Sequence, residues 1–360
     1  MAPTALVLIS RHSVAGPAAD SANGNGPIED RPAAFAPVAN RPLLLHVLDS
    51  LERAGVHDVL LAADARLAPA AEQLAEQAER PGLSLTLLPF EELTLAGALV
   101  EAARLHGAAP LLVHFADSLG RDLEQHVSAA RPGEHDVVLL VEERQQDAGV
   151  VSLNGNLGAL PGLGPVGAGW APAGVAVFGS GVGEAARSLG PGASHDLELV
   201  AVAQRLVAEG GNLESRSVGD WLRLHGRPGA LLEANRFALE GVRRDVPAEA
   251  LAGESDAQGC VAIHPTAQLE SAVVRGPAVI GAGARLTDAY IGPYSSIGDG
   301  VVIEGAEVEN SIVLSDARIC HLGERLEGSV IGPNARVFRD FRLPNALRLQ
   351  VGEGAVVSIH

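Results

Sequence analysis

The residues best suited to chemistry sit at two strand ends. ALVLI, from Ala5, is a buried apolar strand that runs into Ser10, Arg11 and His12, and the loop beyond it, SANGNGPIEDRP, carries Gly24, Gly26 and Arg31. A strand opening into a glycine-bearing turn lets backbone N–H groups and a guanidinium meet a phosphate, so Arg11 is a candidate anion-binding residue and the loop a candidate phosphate cradle. Gly, Asn and Pro also build ordinary surface turns, and that is the favoured reading of the loop. At the second strand end, APLLVHFADSL brings Asp117 to the carboxyl end of an apolar run, where open α/β sheets bind ligands. Asp117 is there either a ligand-facing carboxylate or a cap for a helix starting near Asp122. His264 and His321 are candidate bases for acyl transfer, or else corner residues of a repeat.

The chain has 360 residues, a formal charge of -18 and a pI near 5.0. Nucleic acid or an anionic membrane would require clustered positive charge, so neither is an expected partner. No apolar run reaches the roughly 18 to 20 residues that cross a bilayer, and MAPTALVLISR lacks a basic leader, so the expected location is the cytoplasm. Cys260 and Cys320 are too few for a disulfide framework or a structural zinc site and are expected to be buried thiols. All 26 basic residues are arginine. Any step that needs a slender ammonium group must therefore be done by a broad planar fork.

The elements that must position these residues alternate strand and helix. HDVLLAA, LSLTLLP, APLLVHFAD and HDVVLLVEE continue the strand series, and PLLLHVLDSLERAG, LAGALVEAARLHG and LELVAVAQRLVAEGG carry helical spacing. This order predicts an α/β domain with a mostly parallel sheet over residues 1–243. Residues 155–174 read as a Gly- and Pro-rich loop ahead of the strand VAVFG, and ALLEANRFALEGV as the closing helix. Residues 244–259 read as a polar linker. From Cys260 to the end the period changes: Ile263, Leu269, Val274, Ile280, Leu286, Ile291, Ile297 and Ile303 recur every five or six positions, with Val308, Val313, Ile319 and Ile331 continuing less regularly. A helix cannot use such a period, whereas a parallel β-helix of hexapeptide repeats places one aliphatic inside at each short strand.

PVANRPLLLHVLDSLERAGVHDVLL, the Asp117 strand end, ALLEANR, the β-helix and the closing LPNALRLQVGEGAVVSI together resemble the sugar-1-phosphate nucleotidylyltransferases. The likeness is greatest to long-form glucose-1-phosphate thymidylyltransferases. The resemblance implies a Rossmann-like nucleotidyltransferase domain followed by a left-handed β-helix with a C-terminal tail. It also implies attack of a sugar 1-phosphate on the α-phosphorus of a nucleoside triphosphate, with Mg²⁺ and release of pyrophosphate. Family members carry G-G-x-G-T-R after the first strand, where this chain has Ser10 and Arg11 and no G-T-R, and side chains there would hold a phosphate away from the backbone. The family lysine before PVANKP aligns with Ala33. The E-K-P segment falls in GNLGALPGLGP, the W-x-D-T-G magnesium aspartate aligns with Leu224, and the base-seating G-L-A phrase corresponds to Leu95, Ala96 and Gly97, read as packing. Asp117 matches the G-D-N-L aspartate, which implies a Mg²⁺ ligand dependent on a substrate's phosphates, and Gly149 in AGVV matches a further substrate-binding position.

Losing one transition-state donor costs about a hundred- to a thousand-fold in rate, and several are missing together. The expected function is that of a catalytically inactive homologue, acting as a regulatory, sensing or assembly subunit. The alternatives are an active nucleotidylyltransferase with a substitute site and, third, a β-helix acyltransferase. The expected partners are copies of this chain or an active family member, with a nucleotide or nucleotide sugar as candidate ligand. No cofactor is expected, or Mg²⁺ only where a nucleotide still binds. Phe35 in RPAAFAP adds apolar contact and suits packing.

Overall fold

The computed structural model describes residues 3–11, 32–77, 82–107, 109–129, 136–143, 170–190, 192, 194–224 and 229–339. The chain divides into two compact units, Met1–Gly241 and Val242–His360.

In the first unit the strands are β1 (Thr4–Ile9), β2 (Pro37–Val38), β3 (Arg41–Pro42), β4 (Asp58–Asp64), β5 (Ser84–Phe90), β6 (Leu111–Phe115), β7 (Ser118–Gly120), β8 (Val137–Glu143), β9 (Trp170–Phe178), β10 (Leu213–Val218) and β11 (Trp221–Arg223). The helices are α1 (Leu43–Arg53), α2 (Ala68–Gln77), α3 (Leu95–His106), α4 (Leu123–Ala129), α5 (Val182–Arg187), α6 (His195–Ala208) and α7 (Ala230–Leu239). Seven strands form one sheet in the order β10-β8-β9-β6-β1-β4-β5, with β9 antiparallel to both neighbours and the other pairings parallel. All six residues of β1 are buried, because a central parallel strand is covered on both faces and reads as a continuous apolar run. Leu6 and Leu8 face a core shared with α3, α5 and α6, while Ala5, Val7 and Ile9 face one shared with α1, α2 and α4. The result is a three-layer Rossmann-like α/β unit.

Local chemistry sets the helix ends. Pro42 precedes α1, whose chain leaves the helix through Gly55 at φ +74°. Thr94 and Ser194 cap α3 and α6 by accepting the N–H groups of Gly97 and Leu197. The segment expected as a loop to residue 174 differs at its end: Trp170–Gly174 belong to β9, Trp170–Pro172 pair with β8, and residues 155–169 lie outside the described residues.

The second unit is a left-handed parallel β-helix with three strand stacks. The first face comprises Leu251–Ala252, Gln268–Glu270, Arg285–Thr287, Val302–Glu304, Arg318–Cys320 and Arg336–Phe338. The second comprises Asp256–Gln258, Val273–Arg275, Tyr290–Ile291, Glu307–Glu309 and Leu326–Glu327. The third comprises Val261–Ile263, Ala278–Ile280, Ser295–Ile297, Ile312–Val313 and Val330–Ile331. Each face stacks its aliphatics coil on coil, as in Leu269, Leu286, Ile303, Ile319 and Val337. Val274, Ile291 and Val308, and Ile263, Ile280, Ile297 and Val313, do the same and are buried.

Two expectations change here. The stretch 244–259 is no linker throughout: Leu251–Ala252 and Asp256–Gln258 form the first strands of the β-helix and pair with Leu269–Glu270 and Val273–Arg275. Cys260 is exposed and Cys320 half-buried, since Cys260 lies before a strand and Cys320 points away from the inward Ile319.

Because Ile303 is wholly buried between Leu286 and Ile319, Ile303→Ala should lower the unit's unfolding free energy by about 2–5 kcal/mol. Gln268→Ala, on the exposed side of the same face, should stay within about 0.5 kcal/mol. Urea denaturation followed by circular dichroism measures both.

Candidate functional site

The carboxyl ends of β1, β4 and β6 meet where the sheet order reverses around β1, the place at which such sheets bind ligands. Asp117 follows β6 and is 8% exposed. Its carboxylate does not wait for a cation from solution. Arg223 donates from Nε to Oδ1 and from Nη2 to Oδ2, each at 3.0 Å, in a two-pronged pair. The same guanidinium donates from Nη1 to Asp196 Oδ1 at 3.0 Å and to the Pro172 carbonyl at 3.3 Å, and lies 5.2 Å from the centre of the Phe115 ring.

The local sequence explains this placement. β11 pairs antiparallel with β7, setting Arg223 opposite Ser118, the neighbour of Asp117. Trp221 anchors the strand through its indole N–H on the Ala173 carbonyl at 2.7 Å, and its ring fills the space over Gly120, where a Cβ would stand 1.8 Å from it. Gly174 sits at φ +77°, and a Cβ there would meet Arg223 Nη1 at 2.9 Å, so glycine makes room for the guanidinium. Burial works against the charge of Arg223, but Asp117 and Asp196 more than offset it and raise its pKa above the ordinary arginine value.

Sequence reasoning missed Arg223. Its signal was available: counted from Trp221, the third position of the W-x-D phrase is Arg223, not Leu224. Leu224 is a fully buried core residue whose N–H donates to the Asp117 carbonyl at 2.7 Å. The donor set therefore does not fit Mg²⁺. Both Asp117 oxygens are engaged by a cation, the position expected to supply a second carboxylate supplies a guanidinium, and among the described residues no cluster of three His, Cys, Asp or Glu could hold a metal.

Arg11, the other described candidate, pairs its Nη2 with Asp64 Oδ2 at 2.6 Å, joining the ends of β1 and β4. Asp64 is 4% exposed and also accepts the Arg66 N–H. The N-terminus of α3, at the Leu95–Gly97 phrase, is answered from within: Glu198 of α6, itself buried, accepts the N–H groups of Leu95 and Gly192. Ala33, Ala34, Phe35 and Ala36 are buried against α1. His264 and His321 occupy different corners of the β-helix, His264 bonded to Thr266 and His321 standing 3.6 Å from Glu304, so the structure does not bring them together. His12, Gly24, Gly26, Arg31, Gly149 and the segment aligned with E-K-P lie outside the described residues.

His114, on β6 beside this pair, is 1% exposed and donates from Nδ1 to the Phe115 carbonyl at 2.9 Å. Burial pushes its pKa down from 6.5 to about 4. A depressed histidine keeps the native state proton-free while the unfolded chain protonates, so its contribution is complete above pH 6.5 and is lost as pH falls toward 4.

No family model matches the chain. Among curated proteins it is 30% identical over 332 residues to a glucose-1-phosphate thymidylyltransferase of Streptomyces griseus, covering 89% of this chain and 91% of the relative. A glucose-1-phosphate thymidylyltransferase of Streptomyces antibioticus is 29% identical, with 89% and 92% covered. A low-salt glycan biosynthesis nucleotidyltransferase of Haloferax volcanii is 27% identical, with 91% and 94% covered. Among solved structures, a provisionally assigned glucose-1-phosphate thymidylyltransferase of Bacillus anthracis, in complex with sucrose, superposes with a TM-score of 0.53 at 16% identity, covering 68% of this chain and 98% of that one.

Two measurements check the site. Arg223→Met leaves Asp117 buried and unanswered and should cost about 3–5 kcal/mol of stability, whereas Arg223→Met with Asp117→Leu should recover most of it, as read by urea unfolding. Between pH 6.5 and 4, His114→Gln should remove roughly 3 kcal/mol of the pH-dependent loss of stability seen in the parent chain.

Proposed function

The chain belongs to the family of sugar-1-phosphate nucleotidylyltransferases that includes the glucose-1-phosphate thymidylyltransferases, and from that premise we propose that it keeps the fold without the reaction. One observation carries the reading: Arg223 holds both oxygens of Asp117, at the position where the family phrase would supply a second carboxylate. Nucleotidyl transfer concentrates negative charge on the reacting phosphates and on the departing pyrophosphate. Divalent cations and basic groups must be free to receive that charge as it develops. Arg223 spends its donors on Asp117, Asp196 and Pro172, and Arg11 is bound to Asp64. The lysine position is the buried Ala33.

On this reading the protein acts through assembly in the cytoplasm, as a partner for copies of itself or for an active relative. Ligand binding needs fewer exact placements than transition-state stabilisation, so a retained nucleotide or nucleotide sugar is compatible with this role. Any such ligand would be held without a protein-bound Mg²⁺.

Incubation with each nucleoside triphosphate, glucose 1-phosphate and Mg²⁺ should release no pyrophosphate above a protein-free control, and Ala33→Lys alone should not change that. Pyrophosphate release that saturates with both substrates, accompanied by a nucleotide sugar, would establish the active reading instead.

A further inference from the structure

On the first face of the β-helix the outward side chains form two columns. Gln268, Arg285, Val302, Arg318 and Arg336 make one, and Glu270, Thr287, Glu304, Cys320 and Phe338 the other. Arg275 and Arg325, on the second face, are ion-paired. Arg285, Arg318 and Arg336 are exposed and form no ion pair among the described residues. Arg318 and Arg336 are direct partners on adjacent strands. That sets their backbones about 4.8 Å apart and opposes like charges, a destabilising arrangement for an isolated face. Unpaired arginines are unexpected in a chain with 44 acidic residues against 26 basic ones. Phe338, two residues from Arg336 on the same side, is 62% exposed. Arginine and an aromatic, side by side, are residue types enriched where protein surfaces meet.

The complement lies on the second face. Glu307 and Glu309 share a strand, and Glu309 stands directly opposite Glu327 on the next. These acids outnumber Arg325, the one base among them, which bonds Glu307 and Glu309. Beside them runs a shallow groove of about 570 Å³ lined by Tyr290, Glu307, Glu324 and Arg325 among others. Both ladders repeat at one interval, that of neighbouring parallel strands. Charges along one ladder can meet those along the other one by one only if the partner has the same repeat. A second β-helix of this chain has it.

We propose that the arginine face of one copy docks on the acidic groove of the second face of another copy, with Arg318 and Arg336 meeting Glu309 and Glu327, and Phe338 entering the groove. The contact is heterologous, using different patches on the two copies.

Sedimentation velocity of the full chain over a wide concentration range tests this. The parent protein should self-associate, and added salt should weaken the association. Arg318→Glu with Arg336→Glu, and separately Glu309→Arg with Glu327→Arg, should each raise the dissociation constant about a hundredfold or more. An equal mixture of the two doubly reversed proteins should associate again, which misfolding could not produce. If either reversal melts early by circular dichroism, the neutral changes Arg318→Gln and Arg336→Gln replace it and should weaken association in the same direction. A parent chain that stays monomeric throughout, reversals without effect, or a mixture of folded variants that stays apart would each overturn the proposal. So would a monomer that binds polyglutamate through the same arginines, since the occupant would then be an acidic partner other than a second copy.

Discussion

A carboxylate at the end of a buried strand must be answered by positive charge, and the first unit depends on how that is done. Removing Asp117 from water carries a penalty that only a close, well-aligned cation recovers. Arg223 provides it with two parallel hydrogen bonds, while Asp196 and the Pro172 carbonyl occupy further donors of the same fork. The surroundings conform to this pair. Gly174 leaves space, Phe115 presents its ring, Trp221 pins the strand that carries Arg223, and Gly120 admits Trp221. The W-x-D position, the glycine in β9 and the antiparallel β7–β11 contact are thus parts of one arrangement.

The absence of lysine gives this arrangement its form. An ammonium group is a compact point charge with three donors and no plane, and could not grip two oxygens of Asp117 while reaching Asp196 and Pro172. A guanidinium does so with a pre-organised fork and cannot lose its proton at any pH where the fold survives. Arg11 with Asp64 repeats the scheme at the neighbouring strand ends, and Glu198 does the converse at the α3 N-terminus, answering the positive end of a helix with an internal carboxylate. Charges that could have faced a ligand are turned toward one another.

How much of this was legible in the sequence follows from the range of each interaction. The β-helix core could be read residue by residue, because one aliphatic recurs inside at each short strand from Ile263 to Ile319, with the inward Ser295 an exception. Its first coil could not. Only one neighbouring coil lies against Leu251–Ala252 and Asp256–Gln258, so polar residues are tolerated there and the stretch resembles a linker. The start of β9 was hidden by the Gly and Pro of WAPAG, which signal a turn in isolation, whereas here Gly174 clears room for Arg223 and the Pro172 carbonyl accepts from it. Asp117 was visible as a singular carboxylate. Its partner lies 106 residues away, and only the W-x-D position counted from Trp221 pointed to it.

On the proposed reading, that pairing replaces a metal with a fixed charge. A carboxylate intended for a cation delivered with the substrate's phosphates stands unanswered whenever the substrate is away, and the empty state carries the burden. Placing the cation on the chain removes that burden permanently and makes the unit's stability independent of any ligand, at the expense of the vacancy that catalysis needs. The stacked charges of the β-helix follow the same reasoning in reverse. Where Arg325 and Glu307 lie on one face they neutralise each other, but Arg318 and Arg336 are left facing outward by the same repeat that buries Ile319 and half-buries Val337 between them. In the first unit the fold closes its charges inward, and in the second it holds them out.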